Sequence, residues 1–111
     1  VLEYFKKFGE RADQYGIRNW ILDPGFGFAK TVEQNYRLLA NLDRFVAMGR
    51  PVLVGVSRKS MIYRLLDITP EEALPQTQVL HFAALERGAS ILRVHDVAEA
   101  VRTVRIRQAL S

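Results

Sequence analysis

Two patterns of hydrophobic and polar positions alternate along the chain. Nearly continuous apolar runs, which are typical of buried strands, are followed by longer stretches in which apolar residues recur at the spacing of an amphipathic helix. The apolar runs predict strands at residues 19–23, 52–56 and 90–94. The helical spacing predicts helices at residues 2–15, 32–48, 59–66, 76–87 and 97–109.

Capping residues mark where these helices begin and end. Thr31 and Thr69 each precede a glutamine or glutamate at the spacing of a capping box. Asp96 is better explained as the N-cap of the last helix than as a catalyst. Pro75 is expected to divide the helical stretch that follows Thr69. The valines expected to face inward from the last helix are Val97, Val101 and Val104.

The element order, α-βα-βα(α)-βα, predicts an α/β fold with parallel strands joined by right-handed helical crossovers. Three parallel strands leave two open edges and one partly bare face, whereas parallel sheets are normally covered on both faces. The chain is therefore expected to be part of a larger sheet or barrel. Its length of 111 residues is that of one small domain. The absence of Met at position 1 suggests a fragment or a processed chain.

Composition narrows the class of protein. With 49% hydrophobic and 25% charged residues, the chain is neither disordered nor collagen-like. No apolar run is long enough to cross a membrane and no signal peptide is recognised, so no membrane partner is expected. The absence of cysteine excludes disulfides, thiolate metal sites and cysteine nucleophiles, and it fits a cytoplasmic protein.

The net charge does not by itself indicate nucleic acid, because a small anionic substrate explains it equally well. The formal charge of +4 comes from 16 basic and 12 acidic residues that are scattered along the chain. Nucleic-acid binding favours a dense basic stripe with interleaved aromatic residues, so no nucleic-acid partner is expected. Attraction for a small anionic substrate explains the excess of positive charge.

Polar residues follow each predicted strand, and the carboxyl ends of parallel strands meet at one edge of a sheet, where α/β proteins bind ligands. The first loop, residues 23–31, is rich in glycine but fits neither common phosphate-binding motif. A dinucleotide fingerprint would need glycine where the chain has Lys30. A P-loop would need glycine where it has Pro24 and Ala29.

Asp23 is the candidate binding group of the first loop. A carboxylate at a strand end can accept two hydrogen bonds from an amidine-like pair of N–H groups, as on guanine or a pterin. The alternative is that Asp23 forms a turn before Pro24, with Phe26 and Phe28 covering the core.

The second loop, residues 55–60, places Arg58 and Lys59 with two hydroxyls at the start of a helix. Cations at a helix N-terminus oppose the helix dipole, so an anion or a polar ligand is expected to accompany them. The alternative is a solvated basic turn.

The third loop, residues 93–96, places Arg93 and His95 on the same face of its strand. Both can donate hydrogen bonds, which suits a phosphate or a pyrophosphate. The alternative is an Arg–Asp ion pair with His95 packed at the rim of a barrel. His81, Trp20 and Tyr63 are expected to be packing residues rather than ligands.

The three loops in this order resemble the dihydropteroate synthase family, folate-pathway enzymes inhibited by sulfonamides. The motifs are Asp-Pro-Gly-Phe-Gly-Phe at 23–28, Ser-Arg-Lys-Ser at 57–60 and Arg-Val-His-Asp at 93–96. The resemblance covers essentially the whole chain. It implies that residues 1–111 are the C-terminal part of a single pterin-binding domain, a partial (β/α)8 TIM barrel of three βα units preceded by a helix.

The resemblance implies a transferase that joins 6-hydroxymethyl-7,8-dihydropterin pyrophosphate to p-aminobenzoate and releases pyrophosphate. Asp23 would hold the amino-pyrimidine edge of the pterin, and Gly55 would let the ring approach the backbone. Lys59 would bond the ring and order the p-aminobenzoate side. Arg93 would lie over the pterin and, with His95, bind the leaving pyrophosphate, so that Lys59, Arg93 and His95 are the implied catalytic residues. The implied p-aminobenzoate pocket is formed by Gly27, Phe28, Lys59 and Ser60.

The resemblance also implies parts that lie outside this chain. An Asn that helps to hold Mg²⁺ and two mobile loops belong to the N-terminal half of the family, so no metal ligand is expected among these residues. The isolated chain is expected to have no synthase activity. A homodimer is expected, because the family commonly dimerises through helices of this region. Ala29 stands where the family often has glycine.

Two other functions remain open at this point. A pterin-binding methyltransferase that acts on methyltetrahydrofolate would share the barrel and the Asp, but it has no pyrophosphate or p-aminobenzoate to bind. A degenerate half-barrel that serves only as an assembly partner would not need to retain the residues of all three loops.

Overall fold

The computed structural model describes residues 2–17, 19–27 and 30–111. Their helices alternate with short parallel strands, which confirms the α/β class. In chain order the elements are α1 (Leu2–Gln14), α2 (Val32–Ala40), α3 (Leu42–Val46), β1 (Leu53–Val54), α4 (Ser60–Leu66), a 3-10 helix (Pro70–Ala73), α5 (Leu74–Glu86), β2 (Ile91–Leu92) and α6 (Val97–Ala109).

The predicted strands have the right positions and directions but the wrong lengths. β1 and β2 pair in parallel, with Leu53 opposite Ile91, and the segment around Leu22 joins through a parallel bridge to Val52. The bridge between Leu22 and Val52 does not extend into a longer ladder, because Pro24 and Pro51 have no N–H to donate. The apolar runs therefore identify buried segments rather than ladders of five paired residues.

The predicted helix 32–48 is interrupted at Asn41. Its capping box is present: the Thr31 side chain accepts from the backbone of Gln34, whose side chain accepts from the backbone N–H of Thr31. The Asn41 Nδ2 donates to the carbonyl of Arg37 at 2.8 Å. Such local bonding by an asparagine side chain competes with the helical pattern, and α3 begins at the next residue.

The division expected at Pro75 is wrong, because α5 begins at Leu74 and includes this proline in its first turn. Proline is tolerated there, since the first N–H groups of a helix have no intrahelical acceptor. The cap expected at Thr69 is confirmed. It begins the 3-10 helix that leads directly into α5.

One apolar core lies between the strand segments and the helices that follow them. The helical spacing over residues 32–48 predicts an apolar stripe of Leu38, Leu39, Leu42, Phe45 and Val46. The first four are buried, and Val46 packs against the core partly buried. The strand segments, the first two loops and α4 contribute further buried residues, which are Leu22, Phe26, Val52, Val54, Val56, Met61 and Ile62. This core fixes the strand ends that carry the candidate site.

The inward orientation predicted for the α6 valines is wrong for Val97 and Val101, which are 64% and 51% exposed. The buried residues of α6 are Ala100 and Thr103. The Thr103 hydroxyl donates to Gln78 Oε1 of α5 at 2.7 Å. Because α6 packs on α5 through this face, its valines line an open apolar groove instead. None of the described helices has the length and apolar character needed to span a bilayer.

Candidate functional site

All three predicted loops meet at one end of the strand segments, which confirms the expectation of a shared edge. They border a cavity of about 380 Å³. The first loop contributes Phe26 and Gly27, and the third contributes His95. The rest of the lining comes from the second loop and the start of α4, which supply Ser57, Arg58, Lys59, Ser60 and Tyr63.

Asp23 forms a turn and also faces a cation. Its Oδ1 accepts a hydrogen bond from the backbone N–H of Gly25 at 2.9 Å. Its Oδ2 lies 3.6 Å from Nη1 of Arg93, and the two side chains are partly exposed. The two interpretations of Asp23 are therefore compatible, because one carboxylate oxygen shapes the loop while the other is directed toward the third loop.

Asn35 supports the first loop and was missed by the sequence analysis. Its buried Oδ1 accepts from the backbone N–H of Gly27 at 2.8 Å, and its Nδ2 donates to the carbonyl of Thr31 at 3.0 Å. A signal was present, since Asn35 is a polar residue on the apolar stripe of α2. The predicted pocket residue Phe28, with Ala29 beside it, lies outside the described residues.

Lys59 crosses from the second loop to the first. Its Nζ donates to the carbonyl of Phe26 at 2.7 Å. Gly27 has a φ of 88°, and a Cβ added there would lie 3.1 Å from Cδ of Lys59. Glycine is favoured at position 27 for two reasons: it adopts the positive φ without strain, and it has no Cβ to contact the side chain of Lys59.

Burial and nearby cations lower the pKa of Lys59. Burial is the main cause, because it disfavours the ammonium form, and Arg93 and Lys30 act in the same direction. Asp23 opposes the shift. Lys30 was not predicted as a site residue, yet its Nζ donates to the carbonyl of Gly25 at 2.8 Å. The structure thus gathers three cations, Lys30, Lys59 and Arg93, beside the first loop, an arrangement that favours an anionic ligand.

Gly55 accommodates the side chain of Arg93. A Cβ at this buried glycine would lie 2.7 Å from Nη2 of Arg93 and 3.1 Å from its Cζ. The guanidinium therefore lies against the Gly55 backbone. This is the space that the pterin ring is expected to occupy. A ring could approach this backbone only after the flexible end of Arg93 had moved.

His95 is exposed and lines the cavity. Its backbone N–H donates to Oγ of the buried Ser57 at 3.3 Å, which ties the third loop to the second. Arg93 lies nearby, against Gly55 and Asp23. The structure thus brings Asp23, Lys59, Arg93 and His95 to the same edge, as their positions after parallel strands predict.

Asp96 is the N-cap residue of α6, as predicted, but within the described chain no side-chain cap hydrogen bond joins it to this helix. Its two carboxylate oxygens instead accept from Nε and Nη2 of Arg58, at 2.9 and 3.0 Å. A partner 38 residues earlier in the chain has replaced the local cap, because a bidentate pair with arginine is stronger than one bond to an amide.

Tyr63 also lines the cavity, so its expected role as a packing residue is incomplete. Its position one turn after Ser60 on α4 places both side chains on the same helix face. Trp20 is a packing residue as predicted, with its ring 5.2 Å from that of Phe8. His81 is buried in α5, with Nδ1 3.1 Å from Gln78 Oε1. Across residues 2–17, 19–27 and 30–111, no group of three metal-ligating side chains is close enough to hold a metal ion.

Comparison with protein families identifies relatives along nearly the whole chain. The family model described as pterin binding enzyme matches residues 1–95. The dihydropteroate synthase of Escherichia coli (strain K12) is 45% identical over 111 residues, which are 98% of this chain and 39% of that protein. The Haemophilus influenzae dihydropteroate synthase is 42% identical over 98% of this chain and 40% of its own length. The chain therefore spans about two-fifths of these relatives.

Solved structures give the same result. The Yersinia pestis dihydropteroate synthase superposes with a TM-score of 0.91 at 40% identity, covering 97% of this chain and 52% of that one. The Thermus thermophilus dihydropteroate synthase, solved in complex with 4-aminobenzoate, gives a TM-score of 0.92 at 38% identity. The latter match covers 99% of this chain and 43% of the other.

Proposed function

The chain belongs to the pterin binding enzyme family, and from this premise we propose that it forms part of a dihydropteroate synthase. The reaction joins 6-hydroxymethyl-7,8-dihydropterin pyrophosphate to p-aminobenzoate and releases pyrophosphate. The observation that carries the proposal is the convergence of Asp23, Lys59, Arg93 and His95 at one sheet edge. A pterin with a pyrophosphate leaving group needs both a carboxylate for its N–H pair and cations for its phosphates.

The pterin is assigned to Asp23, Gly55, Lys59 and Arg93. The Oδ2 of Asp23 faces Arg93 at 3.6 Å, a distance that leaves this oxygen able to accept from a ligand. Arg93 would leave the backbone of Gly55 and cover the ring that takes its place. Such a movement needs only rotation of a long side chain, because the guanidinium is the part that contacts Gly55.

The pyrophosphate is assigned to Arg93 and His95. A guanidinium can bind a phosphate through two hydrogen bonds, and an imidazole can donate a further one. The backbone of His95 is fixed by the Oγ of Ser57, so its ring would be presented to the ligand from a stable position.

The p-aminobenzoate is assigned to Gly27, Phe28, Lys59 and Ser60. Gly27, Lys59 and Ser60 line one cavity, and Tyr63 extends its wall. The structure of the Thermus relative in complex with 4-aminobenzoate supports a site for this acid in the family. A Yersinia pestis dihydropteroate synthase has been solved with a sulfonamide drug, which supports the expectation that this chain belongs to a sulfonamide target.

The proposed mechanism is a dissociative substitution at the pterin methylene carbon. Arg93, His95 and Lys59 would stabilise the negative charge that develops as the bond to pyrophosphate breaks. The amine of p-aminobenzoate then attacks the same carbon, and its proton passes to the released pyrophosphate or to solvent. The protein contributes by holding the two substrates in line and by electrostatic stabilisation, with no covalent enzyme intermediate.

The remaining expectations extend beyond the described residues. The three strand segments would be part of a (β/α)8 barrel, with residues 1–111 as the C-terminal part of that domain. Mg²⁺ would be held by residues outside this chain. The described residues do not fit a metal site, so no step is assigned to the ion here. A cytoplasmic location and a homodimer also remain predictions.

Turnover by the native gene product tests the proposal. The purified protein should convert the pterin pyrophosphate and p-aminobenzoate to dihydropteroate. Asp23→Asn should lower kcat/KM by at least about tenfold, because an amide cannot accept from two N–H groups as a carboxylate does. Asp13→Asn, at an exposed carboxylate of α1, is the matched control and should have no effect. The isolated 111-residue chain should form no product.

Two results would overturn this assignment. A native protein that binds a pterin but neither p-aminobenzoate nor pyrophosphate would favour the methyltransferase alternative. Unchanged ligand binding in Asp23→Asn would show that the pterin lies elsewhere.

A further inference from the structure

Arg58 and Asp96 join the second loop to the third through two parallel hydrogen bonds. Nε of Arg58 donates to Oδ2 of Asp96 at 2.9 Å, and Nη2 donates to Oδ1 at 3.0 Å. The two side chains are 24% and 21% exposed. Planar, bidentate geometry fixes orientation as well as distance, which a single charge contact does not.

The guanidinium of Arg58 also holds the 3-10 helix. Its Nη1 donates to the carbonyls of Pro70 and Glu71, at 3.1 and 3.0 Å. The backbone N–H of Arg58 donates to Oγ1 of the buried Thr77 at 3.1 Å. One residue of the second loop is therefore bonded to the 3-10 helix, to α5 and to the third loop.

The backbone at Arg58 is held in an unfavourable conformation. Its φ is 51°, and among the described residues Asp67 is the other non-glycine residue with positive φ. A side chain in the left-handed region costs roughly 1–2 kcal/mol. The bonds to Asp96, Thr77 and the two carbonyls are what offset this cost and keep the loop in place.

Two of the residues that flank the pair, Lys59 and His95, are assigned to the substrates, and Ser57 supports one of them. Ser57 bonds the backbone of His95, and Lys59 extends over Gly27 to the carbonyl of Phe26. On the other side of the pair, Asp96 directly follows His95. The Arg58–Asp96 pair thus lies between the residue that reaches the first loop and the residue that binds the leaving group.

We propose that Arg58 and Asp96 are positioning residues, which hold the loop of Lys59 and the loop of Arg93 and His95 in register so that their cationic groups face one substrate. Arg58 itself does not bind the substrate, because its guanidinium is engaged by the protein. The catalytic part of this inference rests on the proposed function. The mechanical part, a coupling between the two loops, does not.

Arg58→Gly is the variant that separates the side chain from the backbone conformation. Glycine adopts a φ of 51° without strain, so the variant removes the pair while permitting the same loop. Asp67→Gly is the control for the gain of glycine at positive φ, since Asp67 has a φ of 54° at the end of α4. Glu86→Gln is the control for the loss of an ion pair, since it removes a 3.2 Å contact with Arg107 outside the cavity.

Amide hydrogen exchange in the native gene product tests the coupling without any substrate. Arg58→Gly should accelerate exchange at the amide of His95, and Asp96→Ala should accelerate exchange at the amide of residue 58. Arg58→Gly, in the second loop, would thus loosen the third loop, and Asp96→Ala, in the third loop, would loosen the second. Neither control should affect these two amides. Unchanged exchange at both amides would overturn the proposal, whether or not the protein is a synthase.

Turnover then tests the consequence for the site, at a temperature well below the unfolding midpoint of every variant. Arg58→Gly should lower kcat/KM by about 10- to 100-fold, the effect expected when reacting groups are misplaced by a fraction of a bond length. Millimolar guanidinium chloride should restore part of this loss by occupying the place of the missing group, whereas sodium chloride should not. The same guanidinium should not rescue Arg58→Gly combined with Asp96→Ala.

The two failures are distinguishable. A wild-type protein with no turnover would remove the proposed function, while the cross-loop exchange would still decide the coupling. Normal wild-type turnover with an unaffected Arg58→Gly variant would overturn the positioning role and leave the proposed function intact.

Discussion

The two sides of the second loop carry adjacent cations in opposite electrostatic environments. On the side that faces α5 and α6, Arg58 has its charge matched by Asp96, and this hydrogen-bonded carboxylate raises the arginine pKa. On the side that faces the first loop, burial and the nearby Arg93 lower the pKa of Lys59. Neighbouring residues of like charge thus differ in their partners, because Arg58 is bonded to a carboxylate of the third loop, whereas Lys59 extends to the Phe26 carbonyl at the edge assigned to the substrates.

Lys59→Met should have the largest effect on activity. Methionine keeps much of the packing over Gly27 but removes the charge, so kcat/KM should fall by about 100-fold or more if Lys59 stabilises the leaving group. The free energy of unfolding should change by less than about 1 kcal/mol, because the lost bond to Phe26 is offset by the removal of a partly buried charge. Steady-state kinetics and denaturant unfolding measure the two quantities.

Arg64→Met is the matched control, since Arg64 is an exposed cation on the same helix α4. It should leave both quantities unchanged. A Lys59→Met variant that unfolds easily but retains activity would contradict the comparison, because Lys59 would then have a structural role and no role in binding.

Asn35→Ala should mainly affect stability. It removes the acceptor of the Gly27 N–H and should cost about 1–3 kcal/mol, the cost of leaving a buried donor without a partner. Chemical denaturation provides the measurement. Asn41→Ala removes a side-chain bond to a carbonyl in a more exposed position and should cost less. Equal losses in the two variants would show that the support of the first loop has no special importance.

Gly55→Ala should reduce affinity more than stability. Its Cβ would lie 2.7 Å from the guanidinium of Arg93, which can move away at little cost because it is the end of a flexible chain. Inorganic pyrophosphate should then bind roughly tenfold more weakly, equivalent to about 1.4 kcal/mol, as measured by isothermal titration calorimetry. Gly9→Ala is the control, since its Cβ would meet the Trp20 ring at an ordinary 3.4 Å. A Gly55→Ala variant with normal affinity would contradict the assignment of Arg93.

Lys59→Arg should change the pH dependence of p-aminobenzoate binding, measured with pyrophosphate present, by a smaller amount. A lysine binds an anion while it is protonated, and burial lowers the pKa of Lys59. Wild-type affinity should therefore fall as the pH rises through this lowered pKa, before an ordinary lysine would lose its charge. Arginine remains charged throughout, so the variant should show a weaker fall at alkaline pH. Identical profiles for both proteins would place Lys59 outside the p-aminobenzoate site.

Local sequence signals predicted the parts of this structure that depend on near neighbours. The capping boxes at Thr31 and Thr69 are present because both partners lie within one helical turn. The edge that holds Asp23, Lys59 and His95 was predictable as well, because the direction of parallel strands determines where their ends lie.

Long-range partners could not be predicted in this way. Asp96 has the sequence of an N-cap, yet it binds Arg58, and nothing near Asp96 in the sequence indicates this. The orientation of α6 depends on how Ala100 and Thr103 pack against α5, so the spacing of its valines was misleading. The positive φ of Arg58 could not be predicted either, because it is stabilised by partners that lie far away in the sequence.

A crystal structure of the native gene product with the pterin pyrophosphate and p-aminobenzoate analogues tests the central claim most directly. The account predicts the pterin N–H pair within about 2.7–3.2 Å of the Asp23 carboxylate, with Arg93 and His95 on the pyrophosphate and Arg58 still bonded to Asp96. A pterin bound away from Asp23, or an Arg58 that had left Asp96 to bind the pyrophosphate, would contradict it.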